Sequence, residues 1–147
     1  MRISLLISNV LIFLSFACSE NDSVLFEDLD IRFAHEIPFY EYKGSPYTGT
    51  AVESFSDCKI EHHIKTGLET KQLGYYKDGE KERELLFENG KKNGPSKMWW
   101  PNGALLLEEQ YSDGDLNGKV KRYNPEGEVV ETKIYVNGML ELALDSL

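Results

Sequence analysis

An aromatic side chain returns at every twelfth residue through the second half of this chain, at Tyr75, Phe87, Trp99, Tyr111, Tyr123 and Tyr135, and a glycine follows each ring within three or four positions. The glycines Gly79, Gly90, Gly103, Gly114, Gly127 and Gly138 form two interleaved series, 79/103/127 and 90/114/138, each advancing by 24 residues. The structural unit is therefore two strands long. Units of this kind cannot bury a face alone and do so by stacking on their neighbours. Function in such a chain is expected to spread along a surface.

The residues before the glycines specify the turns. Asp78-Gly79, Asn89-Gly90, Asn102-Gly103, Asp113-Gly114 and Asn137-Gly138 are pairs that tolerate the positive φ of tight β-hairpin turns, and Glu126-Gly127 is the weakest of the six. The spacing leaves strands of roughly six to eight residues. An all-β fold follows, an antiparallel meander of stacked hairpins in one elongated, twisted sheet. The spacing of twelve further predicts one ring per strand at equivalent height, forming cross-strand pairs on one face. Gly94 and Gly118, also 24 apart, each precede the next ring by five residues and are expected to admit a bend or a close ring.

From Ile37 the run Phe39, Tyr40, Tyr42, Gly44, Tyr47 and Gly49, continuing to Phe55, predicts an N-terminal strand pair. Residues 19–33 show no turn grammar and receive no fold. The tail, with Leu140, Leu142, Leu144 and Leu147, is expected to cover the last edge.

The first seventeen residues read as a signal peptide: Arg2 is their only charge, Leu5 to Phe16 is largely apolar, and Ala17 is small. The apolar stretch is too short to span a bilayer core of about 30 Å comfortably, so export is favoured over a permanent span. The run Leu14-Ser15-Phe16-Ala17-Cys18 resembles a bacterial lipoprotein signal, although Ser15 stands where leucine is usual. That resemblance implies lipidation of Cys18 and anchoring without spanning. Ser19 lacks the aspartate that commonly signals inner-membrane retention, which implies an outer-membrane or cell-surface address; Glu20 and Asp22 are similar to acidic export tags. The formal charge is −9, and loss of Arg2 makes the mature chain one unit more negative. Such acidity disfavours nucleic-acid and direct anionic-lipid partners. Cys58 is then left as a lone thiol, read as a small apolar residue facing the sheet.

Two segments, Gly90-Lys-Lys-Asn-Gly94-Pro-Ser-Lys-Met-Trp-Trp-Pro-Asn-Gly103 and Gly114-Asp-Leu-Asn-Gly118-Lys-Val-Lys-Arg-Tyr-Asn-Pro-Glu-Gly127, carry a family resemblance. They resemble the bacterial variant of the MORN repeat: a glycine, a second glycine four residues on, then an aromatic and Asn-Gly. Lys43-Gly44-Ser-Pro-Tyr47-Thr-Gly49-Thr is similar to the opening half-repeat of the same proteins. Many of these proteins are labelled antitoxin components or lipoproteins. Around residues 56–72 the register slips, with Cys58 in a turn glycine's place and Thr70 where glycine is expected. The resemblance implies stacked hairpins and brings no catalytic residues.

Asp57, Cys58, Glu61, His62 and His63 are the only constellation resembling a metal or thiol site. Adjacent histidines on a strand point to opposite faces, so exposed polar residues on an irregular hairpin are the preferred reading. Trp99, Trp100 and Pro101 form the densest aromatic patch. With Trp99 in the ladder, Trp100 faces away, as does Tyr76, 24 residues earlier; these two are the candidate binding surface. The glutamates from Glu80 to Glu88 read as a solvated strand face.

The organisation expected is a leader over 1–17, a lipidated cysteine, tether and N-terminal cap over 18–36, a repeat domain over 37–140 and a C-terminal cap over 141–147. The function expected is that of a non-enzymatic protein-interaction scaffold on the bacterial envelope, of antitoxin or immunity type. The alternative is a structural envelope lipoprotein gripping glycan or peptidoglycan. No cofactor or metal is expected, the partner is another protein of unidentified kind, and the membrane is met only through the lipid.

Overall fold

The computed structural model describes residues 23–145; the leader over 1–17 and Cys18 lie outside the described residues. Two short elements open the described chain, β1 (Val24–Leu25) and a 3-10 turn (Phe26–Asp28). A small sheet follows, made of β2 (Asp30–Ala34), β3 (Ile37–Tyr42) and β4 (Ser45–Pro46). The remaining strands are β5 (Gly49–Ser54), β6 (Cys58–Lys65), β7 (Leu68–Tyr76), β8 (Lys81–Glu88), β9 (Lys91–Lys92), β10 (Gly94–Trp99), β11 (Leu105–Ser112), β12 (Asp115–Leu116), β13 (Gly118–Tyr123), β14 (Val129–Val136) and β15 (Met139–Asp145). They build one long sheet in the order β1-β5-β6-β7-β8-β10-β11-β13-β14-β15, with the two-residue strands β9 and β12 on β8 and β11. Every pairing in it is antiparallel except that of β1 with β5. Among the described residues no helix is long and apolar enough to cross a membrane.

The two glycine series make two kinds of turn on opposite rims. On one rim both residues of Asn89-Gly90, Asp113-Gly114 and Asn137-Gly138 have positive φ, the two-residue type I′ hairpin. On the other rim only Gly79, Gly103 and Gly127 do. There Gly79 N–H donates to Tyr76 O at 2.9 Å and Tyr76 N–H to Glu80 O at 2.8 Å, a pattern repeated at 100–104 and 124–128. This is a type I turn closed by a glycine bulge. Glu126 therefore needs no left-handed backbone, which is why so poor an I′ residue is accommodated there.

The turns also explain where the rings go. Cross-strand partners share a face, and the register places Tyr75, Trp99 and Tyr123 on one face and Phe87, Tyr111 and Tyr135 on the other. The single-face ring ladder expected from the spacing of twelve is thus corrected. Each ring sits just before its own turn, and antiparallel strands end on alternate rims, so only rings 24 apart are equivalent. Among the described residues the ring–ring contacts are Phe26–Tyr40, Phe26–His62 and Tyr42–Tyr47, none of them in the repeat series. Gly94 and Gly118 lie opposite Tyr111 and Tyr135 and start β10 and β13 after the short strands β9 and β12.

Between repeats the backbone is stitched. Gly114 N–H donates to Lys92 O at 2.9 Å and Gly138 N–H to Leu116 O at 2.8 Å, so each I′ turn rests on the short strand one unit back. Gly67 N–H makes the same bond to Tyr47 O at 2.8 Å. Thr66-Gly67 is a further I′ turn, one residue off the 24-step series, and Cys58 opens β6 instead of occupying a turn.

The core is confined to the N-terminal end. There the small sheet and the 3-10 turn cover the face of the long sheet that bears Ala51 and Ile64, joining them to Leu29, Tyr40 and Tyr47 in one cluster, with Val24, Phe26 and Tyr42 packed against it. Among the described residues no hydrophobic side chain beyond Leu85 is buried. The opposite face, bearing Tyr75, Trp99 and Tyr123, has no second layer among the described elements.

Candidate interaction face

The uncovered face carries one row of directly paired residues across eight strands: Val52, Glu61, Leu73, Glu84, Lys97, Glu108, Lys121 and Thr132. Glu84 and Glu108 are 24 residues apart, as are Lys97 and Lys121, so the repeat itself generates a line of alternating charge. Each carboxylate in the row is held from two sides. Glu61 Oε1 takes Lys59 Nζ at 2.8 Å and its Oε2 accepts from Tyr75 OH at 3.2 Å. Glu84 takes Lys71 at 3.1 Å and Lys81 at 2.9 Å. Glu108 takes Lys97 at 3.3 Å and accepts from Tyr123 OH at 2.7 Å. The same lysines lie over the rings, Lys59 at 4.6 Å from the Tyr75 centroid and Lys81 at 5.2 Å from that of Trp99.

These contacts fix ionisation. Burial alone would push Glu61 up, but Lys59 and Tyr75 outweigh it and hold its carboxyl below the ordinary range. At Glu84 the Lys81 hydrogen bond prevails over desolvation, helped by Lys71, and the shift is again downward. At Glu108 the Tyr123 hydroxyl prevails over desolvation, with Lys97 and Lys121 adding to it, also downward. Tyr123 is correspondingly pushed up to about 12 by burial and by Glu108. All three glutamates are therefore anions at neutral pH, and the face still bears more cations than they neutralise: Lys59, Lys71, Lys81, Lys97, Lys119 and Lys121. A lysine-rich face on a chain of formal charge −9 is a segregation of charge.

Between β10, β11 and β13 this face dips into a groove of about 380 Å³, lined by Pro95, Lys97, Glu108, Gln110, Lys119 and Lys121 among others. Sequence reasoning missed both row and groove, since it grouped the glutamates from Glu80 to Glu88 by position along one strand. Stepping by 24 from Glu84 and Lys97 finds them.

Tyr76 and Trp100 lie on the opposite face and are half-buried. Their polar tips reach one unit forward: Tyr76 OH donates to Trp99 O at 2.7 Å and Trp100 Nε1–H to Tyr123 O at 3.2 Å. Asn102 Nδ2 adds a parallel bond to Pro125 O at 2.9 Å. These side chains clasp successive repeats, and what they offer a partner is ring surface.

The strand separates the Cys58 constellation. His62 is buried on the covered face, stacked on Phe26 at 4.2 Å with Nδ1 at 2.7 Å from Glu69 Oε1. His63 and Glu61 point to the other face, where His63 Nδ1 lies 3.3 Å from Thr50 Oγ1. Cys58 is half-buried, and burial together with Asp57 and Glu82 pushes its thiol up, away from nucleophilic thiolate. Among the described residues no three His, Cys, Asp or Glu side chains converge as metal ligands.

The MORN repeat variant matches the chain twice, over residues 92–113 and 116–137. Each match runs from a short strand through the kinked long strand, the bulged turn and the ring-bearing strand to the next I′ turn, which is the structural unit described above. The chain is thus a repeat protein carrying MORN repeat variants, and such repeats are generally associated with protein or membrane interaction. Comparison with curated proteins returns no match.

Proposed function

We propose that this chain is a non-enzymatic scaffold that binds another protein along its lysine-bearing face. The observation that carries the reading is the row from Glu61 to Lys121, which the repeat places on a face left uncovered by the described elements. A repeated flat surface with fixed charges suits recognition of an extended partner, since charge complementarity sets encounter and register. The apolar leader and Cys18 support a mature form exported and lipid-anchored at the bacterial outer membrane or cell surface. The family resemblance supports an antitoxin or immunity role for that form.

The test is capture from envelope extracts with the tagged, processed chain. A saturable protein partner, lost when Lys97 and Lys121 are both changed to Glu, supports the scaffold; recovery of none counts against it. Retention on purified cell-wall material that vanishes with Trp100→Ala would instead support a structural, glycan-gripping lipoprotein. Labelling with radioactive palmitate, abolished by Cys18→Ser, tests the anchor separately.

A further inference from the structure

We infer that the groove over β10, β11 and β13 docks an extended protein segment carrying two carboxylates two residues apart, with Lys119 and Lys121 as their partners; this rests on the scaffold reading. The first observation is a surplus of positive charge within the groove. Lys97 is engaged by Glu108 at 3.3 Å, and the second oxygen of Glu108 is taken by Tyr123. Glu109, although next in sequence, turns to the opposite face, where its Oε2 accepts from Tyr111 OH at 3.2 Å. Among the described residues Lys119 and Lys121 have neither an ion pair nor a hydrogen bond for their ammonium groups, and Lys121 meets Glu108 through electrostatic attraction without a direct contact. Two cations are thus left for a ligand.

The second observation is spacing. Lys119 and Lys121 are alternate residues of β13, on one face, paired with Ile134 and Thr132. Alternate residues of a strand stand about 6.6 Å apart, the same rise that separates alternate side chains of any extended segment. A segment lying along β13 therefore meets both lysines with acidic residues at i and i+2. The amide of Gln110 and the ring of Pro95 on the groove wall offer a hydrogen-bonding and an apolar contact beside them.

The same row disfavours a lipid surface. Glu84 and Glu108 stand among the lysines, and the chain as a whole has charge −9, so a plane of anionic headgroups meets carboxylates along the row and the repulsion of the net charge behind it. A protein segment places its two charges locally. A second copy of this chain brings the same net charge and is disfavoured on that ground.

The test uses the processed chain, nitrogen-15 labelled, titrated with a capped heptapeptide bearing glutamates at its third and fifth positions in a Ser/Thr background. We expect saturable amide shifts at residues 97, 110, 119 and 121, with affinity near the millimolar range (~1 mM) for so small a probe. The glutamine version of the peptide should bind at least tenfold more weakly. K119E/K121E should lose at least tenfold toward the glutamate peptide and gain binding of a lysine version, K119Q/K121Q should lose binding without that gain, and Lys43→Glu on the small sheet should change nothing. Equal binding of the glutamine peptide, shifts elsewhere, or saturation only by phosphatidylglycerol vesicles, inorganic phosphate or self-association overturns the inference. The two readings fail separately. A captured envelope partner still bound by K119E/K121E retires the groove and keeps the scaffold, whereas peptide binding without any captured partner does the reverse.

Discussion

The two ends of the long sheet solve the problem of a thin protein differently. At the N-terminal end, where the repeat register slips, a second layer buries Ala51, Ile64, Tyr40 and Tyr47 and brings a buried His62–Glu69 contact with it. At the C-terminal end, where the repeats match the MORN variant, no hydrophobic side chain of the described residues is buried, and cohesion comes from repeated polar clasps, ion pairs and backbone stitches. Regularity does for one end what a core does for the other. Among the described elements it also leaves both faces of the regular end without a second layer.

The largest expected effect tests that division directly. Ile64→Ala removes a 3%-exposed side chain from the two-layer core and should cost about 3 kcal/mol. Leu107→Ala, a half-buried position in the regular end, should cost only about 1 kcal/mol. Urea denaturation of the processed chain checks both; equal losses would end the distinction.

A pair of glycines sharpens it. Gly90 and Gly103 both hold positive φ, so alanine strains either turn by roughly 1–2 kcal/mol. An added Cβ at Gly103 meets open space, whereas at Gly90 it runs into Ile37 Cγ2 of the small sheet. Gly90→Ala should therefore cost about 1–3 kcal/mol more than Gly103→Ala, by the overpacking typical of a filled contact. Identical costs would mean that the small sheet is not seated firmly on the turn.

Titration probes the polar contacts of both ends. The carboxyls of Glu61, Glu84 and Glu108 lie below their ordinary 4.5, so their pairs stabilise the fold above that value and lose their effect as pH falls through the lowered values. The urea midpoint should drop on acidification below about 4.5, less steeply in Glu84→Gln, and a flat profile would refute the pairing. At alkaline pH the sign reverses. Tyr40, Tyr111 and Tyr123 are raised from 10.0 to about 12, so the stability they confer is complete below 10 and fades toward 12. Burial leads in all three; Glu69 assists at Tyr40, Glu109 at Tyr111 and Glu108 at Tyr123. Ultraviolet difference titration should show Glu108→Gln and Glu109→Gln each bringing one tyrosine down while Tyr40 stays.

How much of this was legible follows from what repeats. Fold class, strand spacing and five of the hairpin turns are written in the 24-step glycines, because Gly with Asn or Asp has a conformational meaning independent of packing. The faces of the rings were not legible from a spacing of twelve, since that count ignores the reversal of direction at each turn. Thr66-Gly67 escaped because it falls one residue outside the series. The first hairpin of the small sheet escaped for a deeper reason: its turn, His35-Glu36, has positive φ at 50° and 69° with no glycine to announce it. The groove was legible in principle, through Glu84, Glu108, Lys97 and Lys121, but two lysines become a site only when the register sets them beside a carboxylate already spent on other partners.

That unannounced turn yields the smallest prediction and the finest test of the comparison. Asn137-Gly138, at the far end, has nearly the same angles, φ 49° and 78°, with residues suited to them. His35-Glu36 joins β2 to β3 through the Ala34–Ile37 pair and holds an exposed glutamate where a Cβ is disfavoured by roughly 1 kcal/mol. Glu36→Gly relieves that cost but frees the unfolded chain, so a net gain of about 0.5 kcal/mol is expected in the urea midpoint. The same change should slow hydrogen exchange across β2 and β3 and leave β14 and β15 untouched. Destabilisation would mean that the two-layer end tolerates the strained turn because the Glu36 side chain itself supports it, and that irregularity there is a means of packing the second layer.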